Sequence, residues 1–444
     1  MKKHNKSSLF NQYVRDLYGK LSTASLRAAS TSANQQSVAH SFVADLKDED
    51  KRLVQQIKDQ TSLHNVNNVS RTKAYLSVYL QYPEIHWSLL AHAVSRNAGW
   101  NMTDLKGEML PRLLTQKDSL FYFQLLERCN WLIFQDAYPQ LLLYEESKRR
   151  NQALFHLLPH FHVSSFMQIV WPWFWKLSRQ SASAYLSKLL AFALIHNEQN
   201  YIEHRVVQDS FYQSHVLHKF TFLLQSFLHF NHVYFPCASK QPSSVEHPSA
   251  GHQGIRVQSA PHRLAGAILR DFTQIKERIA VGKTLYTILF ERVDVSKDIQ
   301  SWLRQTNHTG SRSDYWPHLF TATQLDAIAY APYHFHLKKN KLHAHMPLIF
   351  SPKLEQVWKD QTHNPAERGD WYKGDVKKSW FASKKDQPFD MTNECFFALN
   401  RIEAAIVVKE KLTPSSKIQW VGMKKRKEAN TFSNKRVKGG RQER

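Results

Sequence analysis

This sequence predicts a mainly α fold: a large helical body, then an irregular C-terminal part with room for a short β-hairpin, flanked by a flexible N-terminal arm and a basic C-terminal tail. Three observations lead there. Of the 444 residues, 42% are hydrophobic and 12% aromatic, enough to bury one large core or two ordinary ones. Tyr185, Leu189, Phe192 and Ile195 recur at helical spacing, as do Tyr212, Val216, Phe220, Leu223, Phe227 and Leu228. The period resumes at Leu264, Ile268, Phe272, Ile275 and Ile279.

Residues 1–50 read as the arm; positions 20–45 are rich in Ser, Ala and Gln and poor in apolar side chains, the composition of a flexible or weakly helical segment. Residues 51–235 form the helical region. Within it, LLLYEESKRR suits a helix opened by Pro139, because the first turn does not need the N–H that proline lacks. Residues 236–262 (PCASKQPSSVEHPSAGHQGIRVQSAPH) break every period and read as a linker or long surface loop. Residues 263–420 are helical, then irregular, and form either a second domain or one unit with 51–235. Pro317, Pro332, Pro347, Pro352, Pro365 and Pro388 punctuate that part, while Trp371, Trp380, Phe389, Phe396 and Phe397 supply core material. The stretch 403–412 fits helix or strand. Residues 421–444 hold nine Lys or Arg against two Glu, with too little apolar surface to fold, and read as a disordered tail.

Several function classes are disfavoured. Cys129, Cys237 and Cys395 are far apart and form no CxxC pair, which argues against a thiolate zinc site and a disulfide-stapled secreted domain. The start, MKKHNKSSLFNQYV, lacks the apolar core of a signal peptide. No run of about 18 apolar residues exists, and FMQIVWPWFW is too short to span a bilayer. A cytoplasmic location fits. The formal net charge of +23 favours polyanionic partners: nucleic acid, anionic lipid headgroups or phosphorylated ligands. No G-x-S-x-G, H-E-x-x-H, G-x-G-x-x-G or Walker sequence appears.

Three segments are distinctive as strings: HNVNNVSRTKAYLSVYLQYPEIHWSLLAHAVSRNAGWNMTDLKG (64–107), NWLIFQDAYPQLLLYEESK (130–148) and LIHNEQNYIEHRV (194–206). Together they resemble the YppC-like family of Bacillus-type bacteria, a domain-of-unknown-function family, over roughly residues 64–406. The resemblance implies a bacterial, non-secreted protein. It transfers no fold, activity or ligand, so site proposals rest on chemistry.

The foremost candidate is the stretch 84–104. Pro83 precedes a helix expected to end at Gly99 in the left-handed position. Ile85, Leu89, His92 and Arg96 share a face that begins apolar and turns polar, as at a cleft. His92 suits acid–base work and Arg96 a bidentate grip on phosphate or carboxylate, with Asp104 the third catalytic candidate. Ser95, Arg96, Asn97, Trp100 and Asn101 are the binding candidates; the competing reading is capping and turn chemistry.

Four weaker candidates follow. In HFHLKKNKLHAH, a turn at Lys339-Asn340 places Leu337 opposite Leu342, so that His336 faces His343 and His334 faces His345, a grid for zinc, copper or nickel. The lack of a turn glycine and the nearby lysines favour a plain basic hairpin instead. His196, Asn200, Glu203 and His204 share a helix face; interhelical hydrogen bonding is their expected role, since the Glu-x-x-His pattern of di-iron bundles is missing. NHTGSRSDY (307–315) could cradle an anion, with a polar surface turn the default. The tryptophans of WPWFWK are expected in the core, with membrane contact or base stacking as alternatives.

The leading function is binding of an anionic partner such as nucleic acid. The alternatives are an enzyme, for instance a hydrolase, around His92 and Arg96, and a peripheral membrane protein anchored through Trp171, Trp173 and Trp175. Neither cofactor nor oligomeric state can be read from the chain.

Overall fold

The computed structural model describes residues 2–31, 46–209, 231–237, 263–324, 332–366, 369–382 and 389–412. The tail at 421–444, the stripe from Tyr212 to Leu228 and most of the 236–262 linker lie outside the described residues.

The architecture is mainly α. Helices α1 (Lys2–Thr31), α2 (Asp48–His64), α3 (Asn68–Gln81), α4 (His86–Asp104), α5 (Leu110–Leu113), α6 (Gln116–Arg150), α7 (Ser165–Ser178) and α8 (Ala184–Ile202) lead to strand β1 (His232–Cys237). Strand β2 (Arg263–Ile268), α9 (Ile275–Phe290) and α10 (Ser296–Gln305) follow. The last part holds β3 (Phe320–Thr321), β4 (Leu337–Lys338), β5 (Lys341–Leu342), β6 (Ile349–Phe350), α11 (Leu354–Val357) and α12 (Thr392–Leu412).

Helix α4 sits at the centre and packs against α3, α6, α8, α9, β1 and α11. It is buried nearly all round, from Trp87 to Thr103. An apolar helix can be buried in that way without further help. This one carries Ser88, His92, Ser95, Arg96, Asn97, Asn101 and Thr103 inside, so its neighbours must satisfy them. It also runs on past Gly99, which is no C-cap. A Cβ there would sit 2.4 Å from Asn68 Oδ1 and 2.5 Å from His308 Nε2, so the glycine serves close approach.

Other local expectations change for physical reasons. Residues 2–31 form a helix whose Leu17 and Leu21 are fully buried, and Asp16 accepts a hydrogen bond from Trp173 Nε1 at 2.8 Å. Pro139 lies inside the 35-residue α6 and does not start a helix; tertiary burial of Ala137 to Tyr144 overrides the local break. Pro172 is likewise internal to α7, and Trp171, Trp173 and Trp175 are 0%, 3% and 7% exposed, so these rings pack in the core and present nothing to a membrane or a base.

The helical stripe expected from Leu264 to Ile279 is two elements. Residues 263–268 pair antiparallel with β1, and His232 to Phe235, placed by periodicity in the helical region, belong to that strand. A Cβ at Gly266 would stand 1.9 Å from Val233 O, which shows how closely the strands cross. On the other edge of β1, the Asn97 side-chain amide donates to Tyr234 O at 2.9 Å and accepts from Tyr234 N at 2.7 Å, standing in for a third strand. The stretch 403–412 is helical, within α12.

Candidate functional site

The polar residues of α4 meet the segment 306–316, whose centre from Gly310 to Arg312 is buried and is not a surface turn: Ser311 is 0% and Arg312 4% exposed. Gly310, at φ 82°, makes that approach possible. Arg96 donates to Thr306 O at 2.6 Å and Asn307 O at 3.1 Å, and its guanidinium lies 4.3 Å from the Trp302 ring centre. Burial lowers its pKa to about 10. His92 Nδ1 bonds Thr72 O at 2.8 Å, and burial, then the charge of Arg96, pull the imidazole down to about 3, so the ring is neutral. Ser95 binds Thr72 Oγ1 and Asn68 Nδ2 at 2.7 and 3.1 Å. Arg312 holds both Asp104 oxygens at 2.9 Å and reaches Asn101 Oδ1 at 3.3 Å. Burial raises the Asp104 carboxyl against the pull of Arg312. The Trp100 ring packs against Tyr315 at a tilt of 54°, ring centres 4.6 Å apart. The structure thus brings the candidates into one neighbourhood and joins them to backbone and to one another.

The hairpin β4–β5 has the expected register, Leu337 opposite Leu342, and its turn residues Lys339 and Asn340 take φ values of 52° and 58° without a glycine. The four histidines do not form a grid. His334, His343 and His345 are exposed, whereas His336 is buried with Nε2 3.1 Å from Glu108 and Nδ1 3.5 Å from Glu403. Those carboxylates lift its pKa to about 9 against the effect of burial, so it is an imidazolium tying the hairpin to α12 and to the loop after α4. Among the described residues, no group of three or more His, Cys, Asp or Glu is placed to hold a metal. His196 stacks on Trp380 and bonds its carbonyl at 3.1 Å; Glu203 pairs with Arg278 at 2.6 Å. These are the interhelical contacts that the spacing at 196–204 favours.

The opposite face of α4 borders a cavity of about 210 Å³ that no motif announced. Trp87, Leu90, Ala91, Val94 and Ser95 follow the i, i+3, i+4, i+7, i+8 pattern along its wall. The other walls come from α3 (Arg71, Tyr75), α6 (Cys129, Asn130, Ile133), α8 (Glu198, Gln199, Ile202), α9 (Arg278, Val281, Gly282, Leu285) and the β-ribbon (Asn231, Val233, Leu269). Gly282 lets α9 approach α8, since a Cβ would lie 2.9 Å from Ile195 Cγ2. Glu198 is the notable group. Its oxygens accept from Trp87 Nε1 at 3.1 Å and Gln199 Nε2 at 2.9 Å. Burial raises the carboxyl to about 7 despite those donors. Asp136 on α6, held by Asn197 at 2.6 Å and Gln140 at 3.1 Å, is raised by burial to about 7 as well. The spacing of Trp87, Leu90, Ala91 and Val94 is the sequence signal that could have found this wall; the face singled out on α4 was instead that of Ile85, Leu89, His92 and Arg96.

Fold and site define a mainly α protein with a preformed apolar cavity edged by a few polar side chains. The chain belongs to the family described as "Protein of unknown function (DUF2515)", matched over residues 63–397. It is 35% identical over 332 residues to the uncharacterized protein YppC of Bacillus subtilis (strain 168), covering 74% of this chain and 87% of that one. That agrees with the resemblance read from the three strings. No solved structure matches. Among the described residues, no helix is long and apolar enough to cross a membrane.

Proposed function

We propose that this protein binds a small, largely apolar molecule in the cavity beside α4. The observation that carries the reading is the cavity itself: about 210 Å³, walled by aliphatic and aromatic side chains, with a few polar groups at fixed positions. An apolar cavity of about 150 Å³ takes up benzene, so in proportion the space here suits roughly eight or nine heavy atoms. The polar face of α4, with His92, Arg96 and Asp104, has the role of holding the 306–316 segment. A hydrolase at that face would need a substrate path where Trp100, Trp302 and Tyr315 pack.

Thermal unfolding with propylbenzene tests the reading. A rise in Tm for the wild type, abolished by Ala91→Phe, which fills the wall, is the expected result. An unchanged wild-type Tm with propylbenzene, and equally with an amine or an acid of its size, refutes it.

The formal charge of +23 favours a second reading, binding of a polyanion such as nucleic acid at the surface. Affinity for single- or double-stranded DNA or RNA would then fall steeply with salt; no binding at low salt removes that reading.

A further inference from the structure

We infer that the occupant of the cavity is an apolar molecule bearing one protonated amine, received by Glu198; this rests on the cavity reading above. Both arginines on the walls are neutralised within the protein. Arg71 is paired with Glu127 at 2.5 Å, and Arg278 with Glu203 at 2.6 Å. Glu198 is the wall's remaining acid, and among the described residues no Lys, Arg or His forms an ion pair with it. An unpaired carboxylate on a largely apolar wall is costly, and a cation brought by the ligand offsets part of that cost.

The hydrogen-bond geometry agrees. Gln199 is oriented at both ends: Oε1 accepts from Arg278 Nε at 2.9 Å, so Nε2 is left to donate to Glu198. Trp87 Nε1 serves the other carboxylate oxygen. Each oxygen therefore has one protein donor and capacity for another, and a carboxylate is an acceptor only. Asn231 Oδ1, on the wall next to β1, is a buried acceptor without a donor among the described residues. Arg71 Nε, a buried donor without a partner among the described residues, belongs to a guanidinium already neutralised by Glu127. The rings of Tyr75 and Trp87, edge to face at 5.5 Å, add aromatic surface suited to an ammonium. An anionic ligand would meet Glu198 without an unpaired cation to offset it.

Three probes of similar size decide the matter, measured by calorimetric titration of the full chain at pH 7.5: 2-phenylethylamine, propylbenzene and phenylacetate. The amine is expected to bind about tenfold or more tightly than propylbenzene, the difference typical of a charge-assisted hydrogen bond. Glu198→Gln should bring the ratio of the two affinities toward one. The wild-type series stands without the variant if the variant does not fold. Equal binding of amine and propylbenzene, or preference for phenylacetate, overturns the inference and leaves the cavity reading intact. Binding of none of the three overturns both.

Discussion

The two faces of α4 solve opposite problems with one stretch of chain. One face, with His92, Arg96 and Trp100, is filled by a segment about 210 residues away in sequence, and Arg96 is held by that segment's carbonyls. The other, with Trp87, Leu90, Ala91 and Val94, looks onto empty space. The lesson is that a cluster of chemically versatile residues on a helix is not by itself a site. Polar side chains that fold against backbone are occupied; a bland apolar stripe can be the available surface.

Substitution on each face should break or confirm this contrast. Arg96→Ala removes the partner of two carbonyls and opens the core, and is expected to cost about 3 kcal/mol or more in urea unfolding. Val94→Ala, on the cavity wall and 36% exposed, should cost under about 1 kcal/mol. Comparable losses would mean that the faces are packed alike. Gly99→Ala tests the sealed face at its tightest approach, to Asn68 and His308, with an expected loss of about 1–3 kcal/mol.

The smallest effect sharpens the comparison through pH. Glu198 is raised from 4.5 to about 7, so its contribution to stability is present below about 4.5 and lost as pH rises through 7. His92 is lowered from 6.5 to about 3, so its contribution is present above 6.5 and lost as pH falls toward 3. Unfolding free energies across this range should rise with pH for the His92 contribution and fall for that of Glu198. Glu198→Gln should therefore flatten the fall between pH 4.5 and 7; an unaltered profile would place Glu198 in bulk-like solvent.

Much of the fold was legible, because apolar periodicity reports helices wherever burial is one-sided. The hairpin register was legible too, since pairing around Lys339-Asn340 follows from counting. What failed were features set by distant partners. The strand at 263–268 hides in a helical period because Gly266 is chosen for its approach to Val233, and Gly99 reads as a helix stop because its true neighbour, His308, is far along the chain. His336 could not be told from His343 until Glu108 and Glu403 closed around it. On α4 the face of Ile85, Leu89, His92 and Arg96, which turns from apolar to polar, draws attention away from Trp87, Leu90, Ala91 and Val94, and whether such a stripe faces packed side chains or a void depends on residue sizes across five other elements.

Helix α6 has a mechanical consequence. It supplies the cavity wall at Cys129, Asn130 and Ile133, then the buried acid network at Asp136 and Gln140. Within that network, Pro139 deprives the carbonyl of Gln135 of its ordinary partner one turn on. Side chains span the gap instead: Gln140 donates to Asp136 O at 2.9 Å and to Asp136 Oδ2 at 3.1 Å, so the acid network braces the rod where its own ladder is broken, one turn beyond the wall that lines the void.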